Sequence, residues 1–192
     1  MKRTIIFLIF CLNFLTQSSG QIKLGLKAGF NFSKVKNRSH DDFTNKTNIN
    51  IGLVTNFKLD KKFILDLEGL FSAKGFYGIL IPSGTTATSL YYLTLPVLLE
   101  YKATNKFYFQ LGPELNLLVS AKMKNSTTNI SISDNYNNFD ITVAGGLGYN
   151  IFKSINLETR YSYGLSQIRK TPEIFGAQYN RTFQLNLIYF FR

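Results

Sequence analysis

An eight-stranded antiparallel transmembrane β-barrel is the fold class this sequence predicts, and three observations predict it. Eight segments alternate apolar and polar residues. Their apolar face carries aromatic residues near both ends. The connections between the segments alternate long and short.

The first segment, 22–32, sets the pattern. Ile22, Leu24, Leu26, Ala28, Phe30 and Phe32 share one face, and Lys23, Gly25, Lys27, Gly29 and Asn31 share the other. Successive side chains of a strand point to opposite faces, so this is a strand with one greasy and one polar side. The segments 48–57, 63–73, 91–101, 107–119, 139–151, 155–165 and 179–191 follow the same rule with the apolar face on odd positions. Arg181 is the only charge on that face. The opposite face carries Lys23, Lys27, Asp66, Glu68, Glu100, Glu114, Asp140, Glu158 and Arg160.

Either face could point inward. A soluble eight-stranded ligand-binding barrel would bury the apolar face, and a membrane barrel would turn it outward. Glycines on the charged face (Gly25, Gly29, Gly52, Gly112, Gly146, Gly148, Gly164) suit a narrow, crowded lumen. Phe57, Phe63, Tyr101, Phe107, Tyr149, Tyr189 and Phe191 lie near one end of the apolar face. Phe32, Phe71, Tyr91, Phe139, Tyr163 and Tyr179 lie near the other. Two such rings are the interfacial girdles of an outer-membrane barrel. The segments are also long enough to cross a bilayer at a tilt of roughly 45°.

The connections run long (33–47), short (58–62), long (74–90), short (102–106), long (120–138), short (152–154) and long (166–178). Long outer loops and short periplasmic turns are the layout of such barrels, with both termini on the periplasmic side.

Residues 1–20 read as a cleaved signal peptide: Lys2 and Arg3, an apolar run from Ile5 to Leu15, then Ser18 and Gly20 before Gln21. Cys11 is the only cysteine, and the large Phe10 before it argues against a lipobox. Residues 21–192 then form one cysteine-free barrel domain. A mean hydropathy of −0.01 accords with strands that are half polar.

The net charge is +11, or +9 without Lys2 and Arg3, and six of the eleven acids face the proposed lumen. The loops and strand ends are therefore basic. With no basic helix and no stacking platform, nucleic acid is not an expected partner; lipid and lipopolysaccharide phosphates are.

The inward charges are expected to form a structural polar network, because unpaired burial is costly. Glu158 and Arg160 share a face two residues apart and form a natural pair. An enzyme reading rests on His40, the only histidine, in Ser39-His40-Asp41-Asp42. Adjacent side chains diverge, there is no nucleophile elbow, and no second histidine supports a metal. No catalytic residue, cofactor or metal is expected. If the short turn pairs Tyr101 with Phe107, Pro96 and Pro113 fall at the same height and one shared bulge accommodates both; two independent local bulges are the alternative.

The segments YYLTLPVLLEY (91–101) and FYFQLGPEL (107–115), with Gly25, Lys27, Gly29, Asn31 and Arg160-Tyr161-Ser162-Tyr163-Gly164-Leu165, resemble the PorT-like small outer-membrane β-barrel family of Gram-negative bacteria. The resemblance covers about residues 22–192. It implies an outer-membrane location and a non-enzymatic anchor, binding or envelope-assembly role. A narrow porin-like channel is the alternative, and a lipid-modifying enzyme the third reading. The implied partners are outer-membrane lipids, the barrel-assembly machinery during insertion, and an unidentified envelope protein.

Overall fold

The structure, a computed structural model, describes residues 22–37, 43–80, 84–125, 128–171 and 176–191. Residues 1–20, which read as a signal peptide, and the stretch 39–42 with His40 lie outside the described residues.

The eight barrel strands are β1 (Ile22–Asn37), β2 (Thr44–Lys58), β3 (Phe63–Leu80), β4 (Gly84–Lys102), β5 (Phe107–Lys124), β7 (Phe139–Phe152), β8 (Ile155–Gly164) and β9 (Gln178–Phe190). A short ninth strand, β6 (Asn129–Ser131), pairs with the far end of β5. Each barrel strand is antiparallel to its neighbours, and β9 returns to β1 to close the ring. Closure leaves no unpaired edge in the barrel wall.

Exposure sorts the two faces. Leu95 is 53% exposed and Leu111 64%, whereas Lys27, Asp66 and Glu158 are wholly buried. A wall that hides its charges and shows its leucines is built for hydrocarbon outside. The aromatic rings pair across strands at both borders: Phe63 with Tyr101 at 5.4 Å and Phe107 with Tyr149 at 4.8 Å, and, at the far end, Phe71 with Tyr91 at 6.0 Å.

Two of the three short turns are fixed by side-chain caps. Asp60 accepts backbone N–H bonds from Lys62 at 2.6 Å and Phe63 at 2.7 Å. These bonds, with nearby Lys62 and Lys58, hold its carboxyl below the ordinary aspartate range. Thr104 does the same for Lys106 and Phe107.

The strands run past the predicted limits. β3 and β4 extend to Leu80 and Gly84, so the expected 74–90 loop is mostly a hairpin, and β1 and β2 lengthen likewise. In these extensions the inward residues include Val35, Phe76 and Leu90, so the apolar–polar contrast that marks a strand fades. In β5 the register with β4 shifts at Tyr91/Tyr92, where Tyr91 faces Ser120 and Tyr92 faces Leu118. This bulge reverses the parity, and Ala121 becomes the buried residue.

The shared proline bulge is not there. Tyr101 pairs with Phe109, and the register runs unchanged from Lys102 to Tyr92. Ladder pairing lapses on β3–β4 between Val97 and Thr94, and on β4–β5 between Pro96 and Leu99. The prolines thus interrupt two adjacent ladders, and no residue is inserted. Gly112 sits in the second gap, where a Cβ would lie 2.1 Å from the Val97 carbonyl oxygen. Only glycine lets the two backbones approach this closely.

Candidate functional site

The polar parity of the strands turns one residue in two inward, and the lumen is filled as a stack of layers. At its centre Arg160 (β8) reaches across the barrel to Glu68 (β3), with Nη2 2.6 Å from Oε1 and Nη1 3.0 Å from Oε2. These strands lie on opposite sides of the ring, with three strands between them whichever way it is followed. The same guanidinium meets Glu158 at 3.1 Å and Glu114 at 3.4 Å. Lys27 (β1) joins Glu68 at 2.8 Å to Glu158 at 2.5 Å. Neutral donors complete the layer: Asn186 donates to Glu158 at 3.0 Å and Thr142 to Glu114 at 2.8 Å. Three carboxylates and two cations are thus cross-linked, and all are buried.

Towards the long-loop end, Lys74 donates to Asn116 at 2.8 Å and lies over the Tyr92 ring at 5.4 Å. Asp140 accepts from Asn180 at 2.7 Å and from Ser166 at 2.8 Å. Above this layer Val35, Phe76, Leu90, Ala121, Tyr136 and Ile168 form an apolar cap, with Phe43 and Ile132 packed on it. The 120–138 and 166–178 connections are knitted over it: Tyr136 bridges Arg169, and Asn137 donates to the Gln167 carbonyl at 2.9 Å.

Towards the short-turn end, Asp66 is buried and neither of its carboxylate oxygens accepts a donor. Glu100 accepts a long 3.5 Å bond from Asn56 and no other side-chain hydrogen bond among the described residues. Below them the lumen opens into a vestibule of about 730 Å³.

Of the nine expected lumen charges, Lys27, Glu68, Glu114, Glu158 and Arg160 meet in one cluster. Asp140 belongs to the upper layer. Asp66 and Glu100 lie below the cluster, and Lys23 lines the vestibule. Sequence reasoning missed Lys74, which falls in a segment read as loop, and the whole apolar cap. No alternation signal marked them, because inward residues such as Phe76 and Leu90 are apolar there too. Among the described residues no group of three or more His, Cys, Asp and Glu side chains could hold a metal ion.

Arg181 resolves its own anomaly. Its guanidinium lies 3.4 Å from the Tyr163 ring centre, and Nη1 donates to the Gly164 and Asn180 carbonyls at 2.9 and 2.8 Å. It is 7% exposed although it stands on the lipid-side parity. Lys36, Tyr163 and Tyr179 join it in lining a recess of about 480 Å³ at the outer girdle.

A closed, filled wall with an apolar belt and two aromatic girdles is a transmembrane β-barrel of the bacterial outer-membrane class. Residues 16–170 match the family described as outer membrane protein beta-barrel domain, and the chain belongs to that family. No curated protein matches the chain in sequence. Among solved structures it is similar to the attachment invasion locus protein Ail of Yersinia pestis. The TM-score is 0.54 and the identity 15%, over 88% of this chain and 98% of that one. Neisserial surface protein A gives a TM-score of 0.55 at 11% identity, over 86% and 96%. Ail in complex with the heparin analogue sucrose octasulfate gives 0.52 at 15%, over 89% and 99%. At these identities the likeness is one of fold.

Proposed function

We propose that this barrel is a non-conducting, non-enzymatic outer-membrane anchor that works through its two ends. The observation that carries this reading is the Arg160–Glu68 link across the lumen, backed by the apolar cap above it. A pathway for ions would have to break buried ion pairs and then part packed side chains. The lumen of an eight-stranded barrel is just wide enough for side chains to fill. The finer PorT-like relationship, with a role in surface assembly, is part of the same proposal and rests on the motifs around Tyr91–Tyr101 and Arg160–Leu165. So is export through a signal peptide that leaves Gln21 as the first residue.

Outer-membrane lipid is the expected partner at the far girdle. There Arg181 and Lys36 stand beside Tyr163 and Tyr179 in a recess at headgroup height, and an anionic headgroup suits that chemistry. Ail, of similar fold, was crystallised with a polysulfated sugar. The basic outer loops of this chain suit an anionic partner in the same general way.

Planar-bilayer recording of the purified protein at neutral pH tests the central point. The expected result is no stable single-channel step from the parent and leak or loss of folding in Arg160→Ala. Reproducible parent steps whose ion selectivity changes in Glu114→Ala would replace the anchor with a channel.

A further inference from the structure

Among the described residues the lumen opens into a cavity at the short-turn end, and its lining is strongly basic, with five lysines against the single acid Glu100. Lys23, Lys58, Lys102, Lys106 and Lys153 line it. No described carboxylate forms an ion pair with any of these ammonium groups. Strand register puts Lys58 opposite Ile64, and Ile64 opposite Glu100, all on the inward parity. Lys23 and Lys102 share that parity, so three of the five lysines rise from the inner wall of the mouth. Lys106 and Lys153 project from the turns beside it. The Lys102 ammonium is partly buried and is repelled by Lys23 and Lys58 and attracted by Glu100. Like charges gathered in a concave mouth with low-dielectric walls focus the field and raise the local concentration of anions.

The floor of the cavity sets the limit of entry. Glu100 lines it, and behind it stand Asp66 and the cluster in which Glu68, Glu114 and Glu158 are paired with Lys27 and Arg160, five acids against two cations in all. An anion is drawn to the mouth and turned back at the floor. We propose that this vestibule is a binding site for a small multivalent oxyanion, phosphate-bearing by preference, held by Lys23, Lys58, Lys102, Lys106 and Lys153. Lysine binds phosphate as a mobile point charge and needs no planar fork. A lumen-facing position favours a soluble oxyanion over the phosphate of a lipid, because a headgroup approaches the wall from outside.

The test uses the full folded chain in phosphatidylcholine nanodiscs, titrated calorimetrically with inorganic pyrophosphate. Saturable binding is expected, weakened at least about tenfold by the triple variant Lys102→Gln, Lys106→Gln, Lys153→Gln. It should be abolished at about 1 M salt, where the Debye length falls to about 3 Å. The double variant Lys122→Gln, Lys124→Gln, at the opposite end of the barrel, should bind like the parent. A second arm repeats the titration in nanodiscs containing phosphatidylglycerol. Unchanged affinity assigns the site to a soluble oxyanion, and competition assigns the same lysines to a lipid phosphate. Absence of saturable binding, or equal weakening in the opposite-end variant, overturns the proposal. Unaltered strand content by circular dichroism in every variant keeps loss of binding distinct from loss of fold.

Discussion

Arg181 and Leu95 occupy the same outward parity and define what a charge needs in this wall. Arg181 stacks on Tyr163 and spends two bonds on backbone carbonyls at the girdle, where headgroups are within reach. Leu95 sits at mid-strand, 53% exposed, between the exposed Leu93 and Val97 and opposite Leu115 on β5. An arginine there would meet hydrocarbon alone. Leu95→Arg is expected to destabilise the folded barrel by about 2–4 kcal/mol. Its inward neighbour Thr94 donates a 2.8 Å bond to Asn116. Thr94→Ser keeps that hydroxyl and should cost much less. Folding titrations into lipid vesicles measure both. If Leu95→Arg is the milder change, the faces have been assigned the wrong way round.

At the scale of the element, β5 and β7 are joined by a ring over a glycine. Tyr108 pairs with Gly148, and a Cβ on Gly148 would fall 1.8 Å from the Tyr108 ring. The tyrosine covers the bare backbone, and the glycine makes room for it. Gly148→Val must push the ring off its seat, at an expected cost of about 1–3 kcal/mol. In the Tyr108→Ala background the same change should cost clearly less, and a double-mutant cycle of urea unfolding in detergent reads the difference. Additive effects would mean that the ring and the glycine act independently.

The strands were legible wherever period-two patterning coincided with a sharp polarity difference between the faces, as in 22–32 and 91–101. Their outer extensions were not, because Phe76 and Leu90 are apolar on the inward side too. Past the bulge at Tyr91/Tyr92, β5 reverses its parity, and no alternation rule survives an inserted residue. The prolines misled for a related reason. Their pairing depended on a two-residue difference in turn register that composition does not reveal.

For the whole molecule, parity told which charges face inward but not which of them meet. Glu158 beside Arg160 followed from spacing on one strand. Glu68 as the bidentate partner did not, since it depends on how the strands are staggered around the ring. Lys74 and the cap were hidden in segments that read as loops. The network now makes a thermodynamic claim. Arg160→Ala leaves Glu68, Glu114 and Glu158 with Lys27 as the only cation in their cluster. Breaking a buried ion pair from one side is expected to destabilise by roughly 3–5 kcal/mol. Glu68→Gln combined with Arg160→Met removes charge from both sides and should recover part of that loss. Chemical denaturation of the refolded proteins measures it, and a double variant no better than Arg160→Ala would deny the pair its special role.

The long span of these ion pairs in the chain also dictates an order of events. Lys27 meets Glu158 across 131 residues, and Arg160 meets Glu68 across 92. Neighbouring hairpins can zip one after another, but these bonds must wait until β9 has found β1. Until that moment the two cations and their carboxylates stay hydrated, and the half-built sheet has no reason to exclude water from its concave side. Closing the seam and drying the interior therefore happen together. A chain that closes one residue out of register turns its charges towards lipid and loses both gains at once, so the correct seam is selected by what it encloses as much as by the strands that form it.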